Sequence, residues 1–90
     1  MSIGLGTFLI HRDVCKALMD LGYIHVDMED FHKAMAYFEE ACQTFEKIYE
    51  HSEPLDDFAE CLNSLGRVYR QLGFNEKAFE SCSRGLEMIR

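Results

Sequence analysis

Ninety residues, 48% of them hydrophobic and only one a proline, make a single packed domain and exclude a disordered chain. A chain this short buries only about 60 to 65% of the surface it exposes when unfolded, so its stability margin is thin. Nine basic against sixteen acidic residues leave a net charge of -7, which repels phosphate backbones and anionic lipid head groups; neither nucleic acid nor a membrane is an expected partner.

Residues 1–10 form an apolar N-terminal segment with Ile3, Leu5, Phe8, Leu9 and Ile10. It lacks the basic flank and the small-residue cleavage pattern of a secretory leader, and Ser2 in place of glycine excludes N-myristoylation. No stretch approaches the roughly 20 apolar residues of a membrane span. Without secretory context, Cys15, Cys42, Cys61 and Cys82 read as reduced thiols, and the expected compartment is cytoplasmic.

Apolar residues at Val14, Leu18, Leu21, Ile24 and Met28 recur every three or four positions and predict a helix from about Arg12 to Asp27, with these residues facing inward. A wider stripe of Phe31, Ala34, Met35, Phe38, Ala41, Cys42, Phe45, Ile48 and Tyr49 predicts a second helix that packs against two neighbours. It is expected to stop near His51, because Ser52-Glu53-Pro54 supplies a capping serine and a proline suited to the first turn of the next helix. Asp56 and Asp57 then place negative charge at that helix's N-terminus.

The third stripe runs Phe58, Cys61, Leu62, Leu65, Val68, Tyr69, Leu72 and closes at Gly73, the residue best suited to a left-handed helix end. Asn75 is the expected cap of a last helix whose inward residues are Ala78, Phe79, Cys82, Leu86 and Ile89.

Sliding the chain by 44 residues superposes Asp13 on Asp57, Leu18 on Leu62, Leu21-Gly22 on Leu65-Gly66 and Lys33-Ala34 on Lys77-Ala78. The matched glycines and alanines suit places where crossing helices come close, and the matched leucines suit places where space must be filled. The order Leu62-x-x-Leu65-Gly66-x-x-Tyr69-x-x-x-Gly73-x-x-x-x-Ala78 resembles the tetratricopeptide consensus. The first copy keeps Leu18-x-x-Leu21-Gly22-x-x-His25, then Ala34, Phe38 and Ala41. The long spacing is similar to that of kinesin light chain and nephrocystin-like repeats. Departures are His25 for an aromatic, Glu29 for glycine, Asn75 for an aromatic, and Cys82 and Gly85 in place of Phe38 and Ala41 of the first copy.

The resemblance implies an all-α fold of two antiparallel helix-turn-helix repeats, residues 11–53 and 54–90, stacked as a short right-handed α-solenoid. It also implies a non-enzymatic interaction module, without cofactor or metal, that holds a partner peptide or helix on the concave face of the first helix of each pair. The family's groove positions fall on Lys16, Met19, Asp20, Tyr23, Val26 and Asp27 in one copy and on Glu60, Asn63, Ser64, Arg67, Arg70 and Gln71 in the other. Asp20 and Ser64 replace an asparagine common in peptide-binding members, so a carboxylate clamp is not expected. Arg67 and Arg70 are expected to contact an acidic or polar peptide segment, with Tyr23 and Met19 offering apolar contact.

The rival reading is a structural unit of a longer array, or a self-associating chain. Two repeats are fewer than such stacks usually need, and Phe79, Leu86, Ile89 and the apolar N-terminal residues are left at the ends.

Reactive chemistry finds little support. His11 and Cys15 stand at zinc-ligand spacing, but Cys15 aligns with Ala59, a packing slot, and no complementary pair stands elsewhere. Every cysteine lies on or beside an inward stripe, unlike an activated nucleophile. His25 has the side chain of a pH switch but the position of a packed residue. Glu39, Glu40, Glu46, Lys47 and Glu50 read as a solvated face, and a heptad seam through Phe31, Met35, Phe38, Cys42, Phe45 and Tyr49 leaves Gly22, Ala34, Gly66 and Ala78 unexplained. No phosphate loop, paired-carboxylate constellation or hydrolase elbow is present.

Overall fold

The computed structural model describes residues 5–49 and 56–88, with side chains for residues 12–48 and 56–88. The described chain is all-α: α1 (Leu5–Asp27), α2 (Phe31–Tyr49), α3 (Asp56–Gln71) and α4 (Asn75–Met88). The helices pack in series, α1 on α2, α2 on α3 and α3 on α4. The α1 helix begins at Leu5, inside the apolar N-terminal segment, and not near Arg12. The expected stop at His51 and the Ser52-Glu53-Pro54 cap lie outside the described residues, as do the side chains of Ile3, Leu5, Phe8, Leu9, Ile10, His11, Tyr49, Glu50 and Ile89.

Both helix pairs close with the same turn, built from residues 44 apart. After α1, Asp30 N–H donates to His25 O (2.8 Å) and Glu29 N–H to Val26 O (2.9 Å); after α3, Phe74 N–H donates to Tyr69 O (2.8 Å) and Gly73 N–H to Arg70 O (3.1 Å). This pairing is a Schellman motif, which needs its next-to-last residue in the left-handed region. Gly73 sits there at φ 84° without strain, whereas Glu29 occupies the equivalent place at φ 60°. Each following helix accepts its first intrahelical bond one residue upstream of its first turn: Ala34 N–H donates to Asp30 O and Ala78 N–H to Phe74 O. Phe74 therefore holds the cap position, and Asn75 is the first residue of α4 and not its cap. The first turn of α2 gains a weak side-chain cap, Lys33 N–H to Asp30 Oδ1 at 3.4 Å, that the phenylalanine cannot supply.

The core lies between α2 and α3. Phe38, Phe45, Ile48, Phe58 and Leu62 are fully buried, and the Phe45 and Phe58 rings stack at 5.5 Å. Burial of each such side chain stabilises the fold by about 1.5 to 3 kcal/mol. The α3 stripe is as expected from its periodicity, from Phe58 to Tyr69.

The α1 stripe is not. Val14, Leu21, Ile24 and Met28 are 39 to 65% exposed, and Cys15 and Met19 are buried in their place. Periodicity marks an apolar face but not whether a neighbour covers it. α1 has two such faces, and the one turned to α2 carries Cys15, Met19 and Gly22. On α4, Phe79 and Leu86 are likewise exposed, at 75% and 59%, while Ala78, Ser81 and Gly85 form the buried face and Cys82 is half-buried. Ser81 joins the core by donating its hydroxyl to Leu62 O at 2.6 Å.

Gly22 and Gly66 mark the two crossings. A Cβ on Gly22 would meet the Phe38 ring at 2.7 Å, and one on Gly66 would collide with the Cys82 sulfur. Both helix pairs approach as closely as they do because these positions carry no side chain.

Candidate functional site

Helical spacing places Lys16, Asp20, Tyr23 and Asp27 in one row along α1, and Glu60, Asn63, Ser64, Arg67 and Gln71 in a facing row along α3. Three depressions follow one another between these rows. The first, of about 250 Å³, is lined by Lys16, Met19, Asp20, Tyr23, Asp57 and Glu60. The second, of about 370 Å³, adds Asp56, Asn63, Ser64 and Arg67. The third, of about 470 Å³, runs past Val26, Asp27, Glu29, Arg67 and Gln71 onto an apolar floor of Phe31, Phe38 and Val68. Tyr23 lines all three, so they form one groove around its ring.

Tyr23 is held on three sides. Its ring meets Phe38 edge-on at 5.2 Å, its hydroxyl donates to Glu60 Oε1 at 3.2 Å, and Tyr23 Oη lies 2.9 Å from Ser64 Oγ. Burial pushes the phenol's pKa up, an effect the Ser64 hydrogen bond partly opposes and the Glu60 charge adds to, so the proton stays in place as a donor. At the other end of the interface Arg12 pairs with Asp57 at 3.7 Å. These contacts join α1 to α3 through side chains alone.

Most of the residues expected in the groove are gathered there: Lys16, Asp20, Tyr23, Asp27, Asn63, Arg67 and Gln71 line it. Met19 does so from below as a buried core residue, which corrects its expected role as a free apolar contact. Arg70 is exposed and borders none of the three depressions. Sequence reasoning missed the groove's floor and rim. Phe31 and Phe38 read as core because they belong to the α2 stripe, and Asp56 and Asp57 read only as helix-end charges.

The thiols turn inward. Cys42 Sγ lies 3.1 Å from Cys61 Sγ, Cys61 donates to Phe38 O at 3.5 Å and Cys15 to Ala41 O at 3.8 Å. Burial, with a smaller push from Cys42, raises Cys15 from 9.0 to about 11. The hydrogen bond to Cys42, with burial, raises Cys61 further still. Such thiols are poor nucleophiles. Among the described residues, no group of three or more His, Cys, Asp and Glu side chains is placed to hold a metal ion. His25 is half-buried and stacks flat on Tyr37 at 5.2 Å, as a packed residue does.

Comparison with known families brings a decisive observation: the sequence profile of the tetratricopeptide repeat matches residues 16–49 and again 59–90. The chain belongs to the tetratricopeptide repeat family. Comparison with curated proteins and with solved structures finds no match. Tetratricopeptide repeats are a non-catalytic fold that generally serves protein–protein interaction, and each matched segment runs from within the first helix of a pair through the end of its second helix. Among the described residues, no helix of this tetratricopeptide repeat protein is long and apolar enough to cross a membrane.

Proposed function

We propose that the α1–α3 groove holds a segment of a partner protein that seats an apolar side chain beside Tyr23 and presents basic groups to the Asp20–Glu60 end. The carrying observation is the continuity of the groove through Tyr23 onto the apolar floor of Phe31, Phe38 and Val68. A depression of about 470 Å³ accommodates one large apolar side chain with its flanking backbone.

Charge refines the partner's chemistry. The walls carry Asp20, Asp27, Glu29, Asp56, Asp57 and Glu60 against Lys16 and Arg67. Asp57 is neutralised by Arg12, and the remaining carboxylates outweigh the cations, so an acidic peptide would be repelled along most of the groove. Arg67, with Arg70 beyond the rim, supports one polar or acidic group on the partner at the far end. The partner segment is thus basic at one end, apolar in the middle and polar or acidic at the other.

A displayed random-peptide library panned against the purified chain tests this. Enriched sequences are expected to carry an aromatic or large aliphatic residue next to lysine or arginine. Their binding is expected to fall at least tenfold in Asp20→Lys/Glu60→Lys and several-fold in Arg67→Ala/Arg70→Ala, with helicity unchanged by circular dichroism. Peptides that bind both double variants as tightly as the parent chain would remove the groove from consideration.

A further inference from the structure

The 44-residue register relates the exposed apolar faces of α1 and α4 to buried faces elsewhere in the fold. Val14, Leu21, Ile24 and Met28, exposed on α1, occupy the positions of Phe58, Leu65, Val68 and Leu72 on α3. Of these, Phe58, Leu65 and Val68 are buried in the core that α3 shares with α2, and Leu72 packs against it. At the opposite end, the exposed Phe79 and Leu86 of α4 occupy the positions of Met35 and Cys42 on α2, and Cys42 reaches Cys61 of α3 at 3.1 Å. Among the described residues one such interface is packed, α2 on α3, and the equivalent of each of its halves is left exposed, one on α4 and one on α1.

We propose that these halves meet between molecules: the Phe79–Leu86 face of α4 in one copy packs on the Val14–Leu21–Ile24–Met28 face of α1 in the next. The occupant of each end is a second copy of this chain, seated as α2 seats α3. The contact is heterologous, using a different surface on each partner, and so propagates head to tail without closing on a dimer. The repeat equivalence supplies matching spacing on the two faces, since both follow the same helical periodicity as the pair already packed. It also leaves the α1–α3 groove open, because that groove lies on a different side of α1.

Charge sets the conditions under which stacking is seen. Asp13, Asp20 and Asp27 run beside the α1 stripe and Glu76, Glu80 and Glu87 beside the α4 stripe, all exposed. Two acidic rims repel at low ionic strength, and salt screens them while leaving the apolar contact intact. Self-association is expected to strengthen as salt rises, the reverse of an assembly held by ion pairs.

Sedimentation velocity of the purified chain from micromolar to near-millimolar concentration, in 50 mM and 500 mM sodium chloride, tests the proposal. The weight-average mass is expected to grow beyond a dimer with concentration, and at least threefold lower concentrations are expected to suffice in the higher salt. Ile24→Glu and Phe79→Glu are each expected to be monomeric alone. Mixed, they are expected to form a one-to-one pair, because each retains the face the other has lost. Should either variant lose helicity by circular dichroism, Ile24→Gln and Phe79→Gln carry the same test. A parent chain that stays monomeric in both salts overturns the proposal, as does a self-associating parent whose two variants fail to pair.

Discussion

Gly22→Ala is the most direct probe of how α1 is seated. Adding a methyl group to a helix interior in place of glycine ordinarily stabilises by about 1 kcal/mol. Here that methyl would lie 2.7 to 2.9 Å from three atoms of the Phe38 ring. Phe38 is fully buried and already touches Tyr23, so its ring cannot swing aside without disturbing the groove. Overpacking of this kind costs about 1 to 3 kcal/mol, which outweighs the helix gain and leaves a net loss of about 1 kcal/mol. In a chain of this size that lowers Tm by about 4 to 8 °C. Phe38→Leu alone also destabilises, by about 1 to 2 kcal/mol, through lost burial. The double variant is expected to be at least about 1 kcal/mol more stable than the two single losses predict, because the smaller side chain makes room for the methyl. Urea denaturation of all four proteins completes the cycle. A Gly22→Ala chain that gains stability, or an additive cycle, refutes the seating of α1 on Phe38.

The turns supply a second test: Glu29→Gly relieves the left-handed strain at φ 60° and is expected to raise stability by about 0.5 to 1 kcal/mol, whereas Gly73→Ala at φ 84° lowers it by about 1 kcal/mol, both by thermal melts. Equal effects of the same sign would contradict the shared turn geometry. Gly66→Ala is expected to destabilise by about 1 to 2 kcal/mol and to be only partly restored by Cys82→Ala, since Ala78 O still stands 3.3 Å from the new methyl. Full restoration in the double variant would assign the whole cost to the sulfur. Cys15 titrates at about 11 in the folded chain against 9.0 for the free thiol, so its contribution is complete below pH 9 and is lost as the pH climbs through 11. Denaturation at pH 8 and pH 11 is expected to show the parent losing about 2 kcal/mol more than Cys15→Ala; identical losses would show that Cys15 is not buried. At pH 8 a disulfide reagent is expected to label the half-buried Cys82 first and Cys15, Cys42 and Cys61 only on unfolding.

Repeat register was the legible part of this fold. It placed the close approaches at Gly22 and Gly66, while apolar periodicity gave the α3 stripe and the family resemblance marked Glu29 as standing where glycine is preferred; each depends on local backbone geometry or on one helix packed on both sides. The orientation of α1 was not legible in the same way. Its apolar residues form two faces, and nothing in the spacing of Val14, Leu21 and Ile24 distinguishes a covered face from one left at the end of a stack. Met19 fell on the wrong side of that ambiguity. The groove's walls were expected from the family resemblance, but its floor was not, since Phe31 and Phe38 serve the core and the groove at once. The acidity of the groove was also hidden, because Asp56, Asp57 and Glu60 approach Asp20 only when α3 lies beside α1.

The serial packing of the four helices governs how the molecule comes apart. α2 and α3 each pack broadly on two neighbours, whereas α1 and α4 pack broadly on one and reach a second only through single side chains such as Tyr23 and Arg84, so releasing an outer helix breaks one broad interface and releasing an inner helix breaks two. Amide exchange will therefore be slowest in α2 and α3 and fastest in α4, whose 14 residues hold on largely through Ala78, Ser81 and Gly85. A ligand in the groove bridges α1 to α3 and ties one outer helix to an inner one. Its arrival should slow exchange along α1 and leave α4 as it was, so that the breathing of one end reports an event to which the other end is indifferent.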